Sequence, residues 1–163
     1  MSKREILEPC GQRGMTGLEP GPGMGFFTTE LARMVGPHGQ VVAIDVQPRM
    51  LKGLRKRLQK TGLSGTVDVR LAAADSLGVQ DLTHQIDFIF AYAVTREVPS
   101  RGAFFDQVAT VTKLRARLLL VEPRGHVKPE EFEAELQDAR RAGLVVTDRP
   151  SLPRGIAALL KRS

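Results

Sequence analysis

The fold is indicated most clearly by GLEPGPGMGFFTTELARMVG, residues 17–36, in which glycine takes every second position from Gly21 to Gly25. An apolar run precedes these glycines, and apolar residues at helical spacing follow them. The pattern predicts a strand, a glycine-rich turn and then a helix. Glycine lets the backbone adopt positive φ and lets a ligand approach the main chain closely. Ligands of parallel sheets bind at the carboxyl ends of the strands, where such a turn lies.

Strands and helices alternate along the rest of the chain, which predicts a parallel sheet with helices on both faces. Strands are predicted at residues 15–20, 39–46, 67–75, 85–94, 116–123, 144–150 and 155–162. Helices are predicted at residues 4–11, 25–36, 48–61, 101–114 and 129–143. Because the last two strands follow each other directly, we expect an antiparallel hairpin at one edge. The prediction is therefore a seven-stranded mixed sheet with six parallel strands and an antiparallel last strand.

Length and composition predict an ordinary globular protein. The chain has 163 residues, of which 42% are hydrophobic and 26% charged, so we expect a single domain over residues 1–163. A single cysteine excludes an internal disulfide, and three scattered histidines show no metal-ligand spacing, so no metal is expected. No apolar stretch reaches the roughly 18 residues of a membrane span, and no signal peptide is recognisable, which favours a cytoplasmic location.

The net charge of +6 is concentrated in RMLKGLRKRLQKTG, residues 49–62. Apolar residues recur there at helical spacing, so the basic residues can occupy the opposite face of a helix. Our interpretation is a solvated outer face, which is what charge runs usually form. A patch that binds RNA is the alternative. The absence of interleaved aromatic residues weakens it, since single-stranded bases stack on aromatic side chains.

Asp45 ends the second predicted strand, 20 residues after Gly25, and points to a nucleoside ligand. A carboxylate at that place can accept hydrogen bonds from both hydroxyls of a ribose. The dinucleotide fingerprint G-x-G-x-x-G would begin at Gly21, but Phe26 stands where its third glycine should be. A phenylalanine would obstruct the close packing of helix and strand that this glycine serves. The sequence thus favours a nucleoside ligand over a dinucleotide.

The run EPGPGMG, residues 19–25, resembles the first motif of class I S-adenosylmethionine-dependent methyltransferases. VVAIDVQPRML (41–51) and AAADSL (72–77) resemble the second and third motifs, and the later strands resemble the fourth and fifth. Within this family, the chain is most similar to the small-molecule group around the ubiquinone and menaquinone C-methyltransferases. The resemblance implies a Rossmann-like α/β fold and S-adenosylmethionine as cofactor.

The resemblance also implies which residues bind the cofactor. They are Glu19, Gly21, Gly23, Gly25, Asp45, Val46, Gln47, Ala74, Asp75 and Ala91. Glu19 and the carbonyl of Ala91 would approach the methionine amino group, and the glycine backbone would pass under the methionyl and ribose parts. Asp45 would hold the ribose hydroxyls. The remaining residues would lie beside the adenine.

Catalysis of methyl transfer asks little of side chains, because the sulfonium already activates the methyl group and the acceptor mainly needs alignment. Weak candidates for a base are Tyr92, Glu97, Glu122 and His126, near the carboxyl ends of the fourth and fifth strands. For Tyr92 a core ring is the favoured interpretation, because most aromatic residues in apolar strands pack, and Glu97 can cap a helix or pair with Arg96. The acceptor is expected to be a small molecule.

Two other functions stay open, an RNA methyltransferase and a non-catalytic module that binds S-adenosylmethionine. The second is suggested by the expected N-terminal segment, one short helix that provides little or no lid over the site. We expect a monomer or a homodimer.

Overall fold

Eight strands form one sheet in the computed structural model, which describes all 163 residues. The strands are β1 (Thr16–Pro20), β2 (Gln40–Asp45), β3 (Val67–Leu71), β4 (Ile86–Tyr92), β5 (Thr112–Pro123), β6 (Leu144–Asp148), β7 (Ser151–Leu152) and β8 (Gly155–Arg162). The helices are α1 (Lys3–Leu7), α2 (Thr28–Val35), α3 (Pro48–Thr61), α4 (Arg101–Val111) and α5 (Pro129–Arg141), with a 3₁₀ turn at Gln80–Leu82. No helix combines the length and the hydropathy needed to cross a membrane.

The strand order across the sheet is β3-β2-β1-β4-β5-β8-β6. The first five of these are parallel to one another, whereas β8 is antiparallel to both β5 and β6. Of these seven strands, six therefore point one way and β8 the other, which confirms the predicted mixed sheet with its antiparallel last strand. The two-residue strand β7, which pairs with the beginning of β8, adds an eighth strand that was not predicted.

The sheet separates two hydrophobic clusters, and the predicted helices on both faces are confirmed. On one face, Leu18 and Leu120 belong to a cluster with Phe105 of α4 and Phe132 of α5. On the other face, α1, α2 and α3 pack over a cluster that contains Phe90. Alternate residues of each central strand enter opposite clusters, because successive side chains of a strand point to opposite faces.

The predicted helix at 101–114 is too long. The helix α4 ends at Val111, and β5 begins at the next residue, Thr112, without an intervening turn. Ile86 of β4 pairs with Thr112 of β5, and the next pair is Phe88 with Arg117. Between these two pairs, β4 has one residue and β5 has four. The extra residues form an irregularity in which Arg115 has φ of 69°. Hydrogen bonding to β4 outweighs the helical pattern here, and β-branched Thr112 favours the extended form.

Candidate functional site

The glycine-rich turn after β1 uses backbone angles that other residues rarely adopt. Gly21, Gly23 and Gly25 have φ of 68°, 58° and 94°. The N–H of Gly21 donates to the carbonyl of Ile44 at 2.8 Å, which ties the start of the turn to the end of β2. The regular glycine spacing is therefore required by the path of the chain as it passes from β1 to α2.

The three glycines have different surroundings. A Cβ atom at Gly21 would lie 3.2 Å from Val94, in the loop after β4. At Gly25 it would lie 2.7 Å from Leu54 of α3, so this glycine lets the turn pack against that helix. At Gly23 it would meet nothing within 4 Å. Gly23 thus leaves the backbone open to a molecule from outside, whereas Gly25 serves internal packing.

Glu19 lies beneath the turn and is buried. The hydroxyl of Thr28, at the first residue of α2, donates to its Oε1 at 2.5 Å. Burial raises the pKa of Glu19 to about 7, although the hydrogen bond from Thr28 opposes the shift. The carboxyl group therefore joins the end of β1 to the start of α2, and it exchanges its proton near neutral pH.

A groove of about 530 Å³, including space open to solvent, runs along the carboxyl ends of β1, β2 and β3 and the loop after β4. Its lining residues are Pro20, Gly21, Ile44, Asp45, Val46, Ala72, Ala73, Ala74, Leu77, Val94, Glu97 and Val98. Most of them are apolar, and Asp45 and Glu97 are its two charged members. The groove offers a mainly apolar wall with a carboxylate at its side, which is the general form of a small-molecule site.

Asp45 is oriented by the turn that follows it. The backbone N–H of Gln47 donates to its Oδ1 at 3.0 Å, and this bond holds the carboxylate at the end of β2. The other oxygen remains available to a ligand, and Val46 next to it is 48% exposed. A flat apolar ring against Val46 and Ala74, with a diol at Asp45, would match this surface. The residues present therefore fit the nucleoside part of S-adenosylmethionine.

The family to which the chain belongs is decided by comparison with known proteins. A family model described as a methyltransferase domain matches residues 12–148. The chain belongs to this methyltransferase family. The resemblance expected from the glycine turn and the strand-end motifs is thereby confirmed.

Individual relatives of the methyltransferase domain agree with this assignment. The ubiquinone/menaquinone biosynthesis C-methyltransferase of Shewanella pealeana is 33% identical over 123 residues, 75% of this chain and 48% of that protein. The protein of the same name from an Enterobacter species is 34% identical over 121 residues, 74% and 47% of the two chains. The chain therefore spans about half the length of the curated relatives it matches. A SAM-dependent methyltransferase from Aquifex aeolicus has a similar structure, with a TM-score of 0.87 and 25% identity over 99% of this chain and 90% of the other.

The methyltransferase domain brings together only part of the predicted cofactor set. Gly21, Asp45, Val46 and Ala74 line the groove, and so does Glu97, which was predicted as a catalytic candidate. The other predicted residues lie outside the lining: Glu19, Gly23, Gly25, Gln47, Asp75 and Ala91.

Two of these outlying residues have other surroundings. Asp75 lines a neighbouring cavity beside α4, and its carbonyl accepts from Gln107 at 3.3 Å. Ala91 is fully buried within β4, one residue before the strand ends.

The catalytic candidates of the methyltransferase domain are scattered. Tyr92 is 38% exposed, and its ring packs against that of Phe27 with 5.2 Å between centroids. His126 is exposed in the loop after β5. Glu122 is fully buried and does not line the groove, and its Oε1 accepts from the hydroxyl of Thr95 at 2.7 Å. Among the four, Glu97 alone lines the groove.

Sequence reasoning missed the apolar lining that follows β3 and β4. Val94 and Val98 belong to the loop after β4, and Leu77 is the last residue of the third motif. Their position at or shortly after the ends of predicted strands was a usable signal, since that edge carries the ligand site. Sequence reasoning also missed Glu135, which pairs with Glu122 from α5, because no sequence spacing relates these two residues.

Proposed function

We propose that the chain is the cofactor-binding and catalytic domain of an S-adenosylmethionine-dependent methyltransferase that acts on a small molecule. The observation that carries the proposal is the shared groove, in which the glycine turn, Asp45 and an apolar wall meet. Family membership and the relatives' names support the reaction class. The relatives at 33–34% identity are C-methyltransferases, which favours carbon as the acceptor atom.

Each part of the groove has a role in this proposal. The free oxygen of Asp45 would accept from the ribose hydroxyls, and Val46 and Ala74 would pack on the faces or edge of the adenine. The backbone at Gly21 and Gly23 would approach the ribose and methionyl parts, where a side chain would intrude. The ionised form of Glu19, beneath the turn, would favour the methionine ammonium group.

The chemistry needs alignment more than a strong base. S-adenosylmethionine, when bound, supplies a methyl group that its sulfonium already activates. The chain has to hold the acceptor in line with that methyl group and to exclude water. Glu97 and the exposed part of Tyr92 lie at the carboxyl edge, where they can contact an acceptor. An acceptor that loses a proton during attack would pass it to Glu97 or to solvent.

Several narrower expectations accompany the proposal. A single domain over residues 1–163, a monomer or homodimer and a cytoplasmic location all remain predictions. The non-catalytic module is separated from the enzyme by a screen of acceptors. Binding of S-adenosylmethionine without methyl transfer to any acceptor would favour the module.

Calorimetric titration with S-adenosylmethionine and S-adenosylhomocysteine tests the proposal directly. Asp45→Ala removes hydrogen bonds to a charged acceptor, worth about 1.5–3 kcal/mol each, so the Kd should rise roughly 10- to 100-fold per bond. Asp106→Ala is the matched control, because Asp106 is exposed on α4 and does not line the groove. NADH should bind neither the wild type nor the variants. Tight binding of NADH, or equal affinities of Asp45→Ala and Asp106→Ala for S-adenosylmethionine, would contradict the assignment.

A further inference from the structure

Two carboxyl groups that do not line the groove are buried within hydrogen-bonding reach of each other. Glu122 is the penultimate residue of β5 and Glu135 lies in the middle of α5; they are 0% and 2% exposed. The hydroxyl of Thr95 donates to Oε1 of Glu122. The Oε2 atoms of both glutamates are buried without any hydrogen-bond donor. Unpartnered buried acceptors are costly, so this pair requires an explanation.

A single proton would satisfy both orphaned oxygens. Two ionised carboxylates can only accept hydrogen bonds and repel each other, whereas a protonated carboxyl can donate to its neighbour. Burial, and then the charge of Glu122, raise the pKa of Glu135 to about 7. Burial also raises the pKa of Glu122. The proton therefore belongs on Glu135, which donates it to the carboxylate of Glu122.

Three basic side chains face the pair from the surrounding elements. Arg96 and His126 lie near Glu122, and Arg101 lies near Glu135. Arg101 is itself paired with Asp138, with Nε and Oδ2 2.9 Å apart. Arg96 and His126 are exposed, so solvent weakens their effect. The two guanidinium groups lessen the repulsion in the buried pair without providing the donor that its two oxygens lack.

The pair is connected to the groove through the loop after β4. Thr95 directly follows Val94, the residue that packs against Gly21 of the glycine turn. The N–H of Ala93 donates to the carbonyl of Val121 at 2.9 Å, and Ala93 has φ of 57°. The loop is thus held by one backbone bond to β5 and by the bond from Thr95 to Glu122. If Thr95 moved, Val94 would move with it.

We propose that Glu122 and Glu135 share one proton, and that this proton positions Thr95 and Val94 so that the cofactor groove keeps its shape. Both glutamates are positioning residues, since neither lines the groove. The effect on cofactor binding rests on the proposed function. The shared proton and its effect on the loop do not.

The pH dependence follows from the raised pKa of Glu135. Because the pKa of Glu135 is higher in the folded than in the unfolded protein, its proton stabilises the fold fully at acid pH. This stabilisation is lost as the pH rises through about 7. Above that pH, the two carboxylates repel each other, and displacement of Glu122 from Glu135 would carry Thr95 and its loop with it. Glu19 titrates in the same range. The test therefore compares variants that all retain Glu19.

The test measures hydrogen exchange of residues 93–98 by mass spectrometry in cofactor-free protein, from about pH 6 to about pH 9. The amide of Glu135→Gln donates to Glu122 at every pH. This variant should keep the loop protected at alkaline pH, where the wild type loses up to roughly tenfold in protection per pH unit. Glu135→Ala should be unprotected throughout. The control, Glu131→Gln, changes an exposed residue of the same helix and should follow the wild type.

Two further readouts complete the test. The infrared difference spectrum between the wild type and Glu135→Gln should contain the band of a buried protonated carboxyl, because the contribution of Glu19 is common to both proteins and cancels. Both proteins retain Glu19 and share its effect on the Kd for S-adenosylhomocysteine. Beyond this shared trend, the Kd should rise at alkaline pH in the wild type but not in Glu135→Gln. Loop protection that is identical in the wild type and Glu135→Gln at all pH values overturns the proposal. An absence of S-adenosylhomocysteine binding at every pH, with the loop and infrared results as expected, would instead overturn the proposed function.

Discussion

Phe88 shows how one side chain decides which residues its neighbours can be. Its ring, fully buried on the face that carries α1 and α2, lies where Cβ atoms at Gly11 and Gly17 would be, 2.6 and 2.1 Å from the nearest ring carbon. Glycine weakens a strand unless something packs close to it, and here the phenylalanine does so. Gly17 in β1 is therefore matched to Phe88 in β4, its direct partner in the sheet.

We expect Gly17→Ala to destabilise the protein by about 1–3 kcal/mol, because the added methyl group overpacks against the ring of Phe88. Urea denaturation measures the loss. Gly65→Ala is the control, since a Cβ there meets nothing within 4 Å and φ is not positive.

The ring can be removed to check the cause. In a Phe88→Leu background, Gly17→Ala should cost clearly less, because the effects of substitutions at contacting residues are not additive. The same cost in both backgrounds would show that the strain arises elsewhere.

At the scale of elements, α3 separates an apolar stripe from a basic face. Leu51, Leu54 and Leu58 are buried against the sheet, and the helix ends at Gly62, whose φ of 72° is a left-handed cap. Its six cationic residues are exposed and none forms a salt bridge: Arg49, Lys52, Arg55, Lys56, Arg57 and Lys60. The predicted amphipathic helix is confirmed.

We expect replacement of Lys52, Lys56 and Lys60 by Gln to change the free energy of unfolding by no more than about 0.5 kcal/mol and to leave cofactor affinity unchanged. Solvated charges contribute little, and calorimetry with thermal denaturation measures both quantities. The contrasting variant, Leu54→Ala, should cost about 2–5 kcal/mol, because it removes a buried side chain.

An RNA-binding face would behave differently. RNA affinity should then fall in the triple variant, and its dependence on salt should become shallower by roughly 0.7 for each phosphate that the helix no longer neutralises. That result would favour the RNA methyltransferase over a small-molecule enzyme.

At the scale of the whole molecule, β8 holds the end of the sheet together. It lies between β5 and β6, and it supplies Ala158 and Leu160 to one hydrophobic cluster and Ala157 to the other. The last strand in the chain is thus an interior strand of the sheet. The edge position falls to β6, which precedes it.

A truncation that ends the chain at Arg154 should abolish folding into a soluble, cooperative unit. It removes the partner of both β5 and β6 and exposes unpaired strand edges, which favour aggregation. Solubility, circular dichroism and the sharpness of the thermal transition measure this loss. Removal of Ser163 alone is the control, because it deletes only hydrogen bonds to the carbonyl of Gly143. A soluble, cooperatively unfolding truncated chain would contradict this account.

Short sequence patterns were enough to predict the local features of this protein. The glycine turn, the helix over residues 48–61 and the position of Asp45 at the end of a strand all depend on neighbouring residues, so they are visible as short patterns. The alternation of strands and helices was sufficient to predict the parallel sheet and its antiparallel last strand, because few topologies can connect elements in this order.

Tertiary structure alone decided the features that join distant residues. Pairing with β4 ended α4 at Val111, against its helical pattern, and the ring of Phe88 explained Gly17. Glu122 and Glu135 carry no sequence signal of their pairing, since an ionisable side chain looks exposed until packing buries it. The surroundings of a buried carboxyl set its protonation free energy, and the surroundings of a buried ring set the space that it can fill. Elements that are far apart in the chain provide these surroundings.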